Sequence, residues 1–341
     1  MKNDKTVSFV KAIGIILIVL AHSLPSKALA WRIIYTFHMP LFFIMSGYCF
    51  KSSYLDNPKQ FVTKKLKGIY LPFVLYSLPI LFLHNLFCSL YIYPPDWVYG
   101  WKDFLWNTLR IVTRMSHNEG LLGTFWFLKE LLLGNLIFYI AIKCFKDRPA
   151  LTSLCIFILA ELLCITQLRI PYFNVTYNSF FASFFISIGY WWRKKNWQVK
   201  WWVILSGILA IAIELSLRYR VSFNNLSPTG LLLFILPAIG GTMIVFELCR
   251  IIAPLLKGFM AKAFFYIGNH TLPIMALHFL AFRLVSFVFI KLYSLPINRL
   301  GEHPIMLDYS AGGKWIIYTL AGIGIPTLLS LLWNKMKQTR T

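Results

Sequence analysis

The sequence predicts an all-α protein: a polytopic bundle of about ten transmembrane helices with both termini in the cytoplasm. Three observations carry this expectation. Of 341 residues, 58% are hydrophobic and only 13% charged, roughly half the charged share of an ordinary soluble domain. Apolar runs of about 20 residues, enough to cross a hydrocarbon core as a helix, recur along the whole chain. The basic residues gather in short clusters at the ends of those runs.

The runs fall near 7–24, 31–50, 69–91, 121–142, 149–167, 178–192, 201–217, 230–249, 263–290 and 315–333. Lys2 and Lys5 precede the first, Lys51 closes the second, and Lys59, Lys64, Lys65 and Lys67 precede the third. Lys143, Lys146 and Arg148 separate the fourth from the fifth. The sixth ends on Arg193-Lys194-Lys195, Lys200 opens the seventh, and Arg250, Lys257 and Lys262 lie between the eighth and ninth. Lys335, Lys337 and Arg340 follow the tenth as a short basic cytoplasmic tail. Segments placed inside by this threading hold about 20 of the 34 basic residues, and those placed outside about 11, including Lys27, Arg218 and Arg220. The bias toward one side sets the orientation. A net charge of +22 distributed in this way is a topology signal and argues against nucleic-acid binding.

Ala28-Leu29-Ala30 resembles a signal-peptide cleavage site, but the run before it contains Lys11 and His22, so it is read as a retained span. The six cysteines show no CxxC or paired ligand spacing, and no metal site is predicted. The segment 92–120 is rich in Tyr93, Trp97, Tyr99, Trp101 and Trp106, as suits a loop lying at the membrane interface or a surface that stacks on carbohydrate. Lys51–Gly68 alternates apolar Phe61, Val62 and Leu66 with lysines, the pattern of an interfacial amphipathic helix. No internal repeat or low-complexity linker divides the chain, so residues 1–341 form a single membrane-embedded domain.

Ionisable groups inside apolar spans are costly and are therefore candidates for function. Lys11 and His22 are eleven residues apart, which on a helix is about 20° around the axis and roughly 16 Å along it. One face thus presents a cation toward the inside and an imidazole toward the outside. An imidazole can act as general base on a hydroxyl or carry an acyl group, and a cation can hold a phosphate. A snorkelling lysine and an interfacial histidine would give the same spacing. His38 sits in the outer half of the second span, near His22 if residues 25–30 form a hairpin. Ser46, beside Gly47, suits packing better than nucleophilic attack. Trp126 opens a span as an interfacial anchor, Lys129 and Glu130 suit an ion pair, and Glu119 beside His117 could orient a histidine or a sugar. His270 and His278, eight residues apart, are about 80° apart around their helix.

Taken in order, these residues resemble the membrane-bound acyltransferase family 3. The resemblance rests on Lys11-x10-His22, Phe37-His38-Met39-Pro40-Leu41-Phe42-Phe43 with Ser46-Gly47, the basic run before Leu71-Pro72, Trp126-Phe127-Leu128, and Gly268-Asn269-His270-Thr271-Leu272 with His278. It extends over about residues 5–333. It implies a ten-helix enzyme that takes an acyl group, most simply acetyl, from cytoplasmic acetyl-CoA and delivers it to a hydroxyl of an extracytoplasmic saccharide or glycolipid. It implies His22 as the catalytic histidine; with it, His38 is expected to assist as a second catalytic residue, and Lys11 with the basic cluster Lys64, Lys65 and Lys67 to meet the CoA phosphates. Glu119, Trp126, Ser46, Asn269 and His278 are then expected at the substrate, in a multi-pass protein of the inner, plasma membrane. The first motif usually carries arginine where this chain has Lys11, which keeps the charge without the bidentate fork. No SGNH-type extracytoplasmic domain is expected after the bundle. The competing class is a transporter or flippase, since about ten spans with intramembrane charges also describe carriers.

Overall fold

The computed structural model describes residues 5–25, 28–217, 223, 230–310 and 312–338. Lys2, Lys27, Arg218, Arg220 and Arg340, which enter the charge argument, lie outside the described residues. In chain order the helices are α1 (Lys5–Ser23), α2 (Leu29–Tyr48), α3 (Pro58–Lys65), α4 (Leu71–Phe82), α5 (His84–Ser89), α6 (Trp101–Arg114) and α7 (Trp126–Cys144). There follow α8 (Pro149–Thr166), α9 (Tyr177–Lys195), α10 (Trp201–Ser216), α11 (Leu231–Ile252), α12 (Gly258–Asn269), α13 (Thr271–Leu292), α14 (Leu307–Ser310) and α15 (Trp315–Gln338). No strand occurs among the described residues; one isolated bridge joins Ile170 and Val175.

Seven helices among the described residues are long and apolar enough to cross a membrane: α1, α2, the helix Pro58–Phe82, α8, Leu233–Ile252 of α11, α13 and α15. Helices α7, α9 and α10 stand where the fourth, sixth and seventh runs are expected. The first two carry charges at their ends, Lys129, Glu130 and Lys143 on α7 and Arg193, Lys194 and Lys195 on α9, and α10 has 16 residues.

Three segments depart from expectation. The third span begins at Pro58, not near 69, because no proline interrupts the chain between Pro58 and Pro72 and the helix runs through Gly68. Asn57 caps it by accepting from the Gln60 backbone N–H (3.2 Å), and a π turn over Leu66–Tyr70 carries α3 into α4. Phe61 is fully buried and stacks on Tyr139 at 4.4 Å, while Val62, Leu66 and the lysines around it stay largely exposed, so the expected amphipathic stretch is helical and runs on into the third span. The loop 92–120 contains α6, opened by the Gly100 N–H donating to the Asp103 carboxylate (2.9 Å), with Trp101 and Trp106 exposed. The ninth run is two helices broken at His270 (φ −122°, ψ 39°). Pro273 explains the break: it has no N–H for the Asn269 carbonyl and its ring crowds that position.

Helix α2 forms the centre, packed on α9, α11 and α1, while α1 also meets α12, α13 and α15. The α2–α9 crossing is close enough that glycine is required. A Cβ on Gly47 would lie 1.8 Å from the Ile186 carbonyl oxygen, and one on Gly189 would lie 1.9 Å from that of Ile44. This contact fixes the inner half of α2, which carries Ser46.

Candidate active site

Helix α1 places Lys11 and His22 on one face, and each lines a different cavity. Lys11 borders an inner cavity of about 310 Å³ with Ile15, Met45, Ser46, Cys49 and Thr271. His22 borders an outer cavity of about 470 Å³ with Tyr35, His38, Trp126, Phe279 and His303. Ile18, Phe127 and Met275 line both, so the two meet end to end in the middle of the bundle. Ile18 lies seven residues from Lys11 and four from His22, on the same helical face.

Hydrogen bonding determines which ring nitrogens carry hydrogen, since a carbonyl can only accept. His38 Nδ1 faces the Ile34 carbonyl at 2.8 Å and His278 Nδ1 faces the Met275 carbonyl at 2.9 Å. Both rings therefore donate through Nδ1–H to the preceding turn and keep a lone pair on Nε2. The ring of His38 meets Tyr35 edge-on at 4.8 Å. The His278 ring is fully buried, stacks behind His22 at 5.3 Å, and is not part of the cavity wall. His22 Nδ1 and His278 Nε2 are buried without a hydrogen-bond partner. His22 lines the outer cavity, where an imidazole is chemically equipped to accept a proton from a hydroxyl.

His303, which the sequence reading passed over, completes the outer cavity. Arg283 approaches it from α13, where a guanidinium would otherwise be an isolated buried charge. The Arg283 side chain donates to the Glu302 carbonyl, and its Nη2 faces His303 Nδ1 at 3.3 Å. A guanidinium only donates, so His303 Nδ1 accepts and the hydrogen sits on Nε2. Partial burial and then the neighbouring Arg283 hold this imidazole below its usual pKa, although the ring stays open enough to the cavity to temper that shift. Phe279 packs against both rings, 5.0 Å from His22 and 4.7 Å from His303.

Beyond Gly123 and Trp126 the outer cavity adjoins a polar recess of about 640 Å³ lined by His117, Glu119, Lys129, Glu130, Arg169 and Asn178, among others. Glu119 does orient a histidine, but one 35 residues away: His84 Nδ1 lies 3.0 Å from its carboxylate. His84 Nε2 donates to the Trp97 carbonyl (2.8 Å), and its ring stacks on Tyr99 at 3.6 Å. Burial pushes the Glu119 carboxyl up and the His84 hydrogen bond draws it back. Lys129 and Glu130 form the expected ion pair at 4.0 Å, and Glu130 also accepts from Ser179 (2.6 Å). Trp126 lines both the recess and the outer cavity.

The remaining expected residues sit toward the inner end. Lys65 reaches Ser46 Oγ at 3.5 Å, and Ser46 donates to Asn135 Oδ1 at 3.1 Å, which places Ser46 in a polar contact beside the Lys11 cavity. Lys64 donates to the Tyr54 hydroxyl (2.8 Å), and Lys67 is exposed. Asn269 accepts from Ser8 at 3.3 Å and lines neither cavity. The structure thus brings His22, His38 and Trp126 together, sets His278 behind them, and keeps Lys11, Lys65 and Ser46 at the other end. His303 was missed because it stands in a polar stretch with no periodicity, and His84, inside the 69–91 run, because the carboxylate that marks it, Glu119, lies 35 residues away. The nearest signal for His303 was Arg283, an unexplained charge inside an apolar run.

The family model described as an acyltransferase domain matches residues 5–333, nearly the entire chain. Neither the curated proteins nor the solved structures compared with it contain a match.

Proposed function

Because the chain belongs to the acyltransferase 3 family, we propose that it is an integral-membrane O-acyltransferase that moves acetyl from cytoplasmic acetyl-CoA to a hydroxyl of an extracytoplasmic saccharide or glycolipid. The observation that carries this reading is the pair of end-to-end cavities, with Lys11 on one and His22 on the other. It goes with about ten spans, both termini in the cytoplasm and residence in the inner membrane.

In this reading Lys11 and Lys65 meet the phosphates of CoA at the inner mouth, with Lys64 and Lys67 contributing to the positive field. The pantetheine arm, on the order of the 16 Å between Lys11 and His22, extends past Ser46 and Ile18 to put its thioester in the outer cavity. His22 takes the proton of the acceptor hydroxyl as the oxygen attacks the thioester carbonyl, and the proton passes to the leaving sulfur. His38, with its Nε2 lone pair on the same cavity, assists as a hydrogen-bond acceptor for the hydroxyl or for the His22 imidazolium. His278 fixes the plane of the His22 ring from behind. The acceptor enters from the recess beside Gly123, where Glu119 is held by His84 and Trp126 offers an aromatic edge. Confinement of thioester and hydroxyl in one cavity supplies the orientation such a transfer needs.

The test is transfer of labelled acetyl from acetyl-CoA to envelope saccharide in membranes holding the native chain or His22→Ala at matched expression. The variant should lose about 100-fold or more of the labelling, the lower range for removal of a general base. Equal labelling in both, or none from the native chain with several acyl-CoA donors, would redirect the assignment to transport.

A further inference from the structure

We propose that His303 is a second catalytic histidine, acting as a hydrogen-bond donor: its Nε2–H stabilises the thioester carbonyl oxygen as that oxygen gains negative charge. The inference rests on the acyl-transfer reading of the same cavity.

Two observations lead to it. The first is an opposition of tautomers. His38 and His278 direct Nδ1–H to carbonyls of their own helix and offer lone pairs on Nε2, so neither can donate from that nitrogen while neutral. His303 receives Arg283 at Nδ1 and therefore offers N–H, without any need to be protonated. An attacking hydroxyl needs an acceptor for its proton, and the carbonyl it attacks needs a donor for its oxygen. The outer cavity is lined by both kinds: His22, whose Nδ1 has no partner, and His38, with its lone pair on Nε2, stand with His303, and Phe279 packs against both His22 and His303.

The second observation is position. A Cβ on Gly123 would lie 3.8 Å from His303 Nε2 and 3.5 Å from Phe279, so the ring edge stands where the polar recess opens into the histidine cavity, with no side chain between. This is the place where an incoming hydroxyl and a thioester from the inner cavity would meet. Arg283 is then a positioning residue, since it sets which nitrogen of His303 carries hydrogen.

The step balances without another reactant. The hydroxyl oxygen forms a bond to the carbonyl carbon and gives its proton to His22. The carbonyl oxygen takes up the electron pair of the C=O bond and accepts a hydrogen bond from His303. When that pair returns, the C–S bond breaks, sulfur leaves with its electrons and takes the proton from His22. The products are ester and free thiol, and His303 keeps its hydrogen throughout.

The experiment measures kcat and the KM for acetyl-CoA in membranes holding the full chain, with envelope saccharide as the acceptor, for the native protein, His303→Ala and His303→Gln. Loss of one donor to a developing oxyanion costs about 10²–10³ in kcat, and an interaction confined to the transition state leaves the ground-state KM nearly unchanged. His303→Ala should show that pattern. His303→Gln, whose amide N–H stands close to the place of Nε2–H, should recover at least tenfold over alanine at equal thermal stability. If the native chain transfers acetyl and alanine keeps its kcat, or if glutamine is no better than alanine, the donor role is overturned. If the native chain transfers nothing from any acyl-CoA, the acyl-transfer reading fails first and the role falls with it.

Discussion

Lys11 and His22 share a helical face, yet their surroundings differ in a way that sorts their chemistry. Lys11 looks into a cavity walled by Ser46, Cys49 and the start of α13, with Lys65 nearby, whereas His22 faces other histidines and Trp126. A lysine that holds phosphate as a point charge contributes mostly to ground-state binding. Lys11→Gln should therefore raise the KM for acetyl-CoA about tenfold with a much smaller change in kcat, a pattern read from initial rates at varied donor. A fall in kcat alone would move Lys11 from the donor phosphates to the chemistry. The intramembrane charge of Arg283 has a separate explanation, since it organises the 302–303 turn through the Glu302 carbonyl and His303.

At the scale of elements, the site depends on how closely α2 approaches α9. Gly47 and Gly189 each face the other helix's carbonyl at a distance no Cβ can occupy, and such small-residue contacts are how helices pack where lipid supplies no hydrophobic drive. Gly47→Ala should push the helices apart, lowering stability by about 1–3 kcal/mol and displacing His38 and Ser46 with the helix. Thermal unfolding in detergent would show the loss; an unchanged midpoint would mean that the crossing relaxes freely. Proline has a comparable influence. Pro273 divides the ninth run and lets Thr271 and Leu272 line the inner cavity, and the π turn ahead of Pro72 brings Gly68 and Ile69 to its wall. Both irregularities fall beside the candidate donor site, where π turns often serve function.

For the whole molecule, the proposed orientation puts the inner ends of α2 and α7 on one side of the membrane, and both carry exposed cysteines, Cys49 and Cys144. A membrane-impermeant maleimide should label both in inverted vesicles and neither in intact spheroplasts. Labelling of either from outside would reverse the threading on which Lys11 as the donor end depends. The sequence by itself determined that the chain is helical and membrane-embedded, and where most spans lie, because the cost of placing polar groups in hydrocarbon acts on each segment separately. It also determined the Lys11–His22 axis, since both residues lie on one helix and helical spacing is local. What only the tertiary structure decided was which distant groups meet. His84 and Glu119 are 35 residues apart, Arg283 and His303 are 20 apart, and two cavities touch at Ile18, Phe127 and Met275. The partner of a histidine, and therefore the nitrogen that holds its proton, is set by packing between elements that no periodicity in the sequence records.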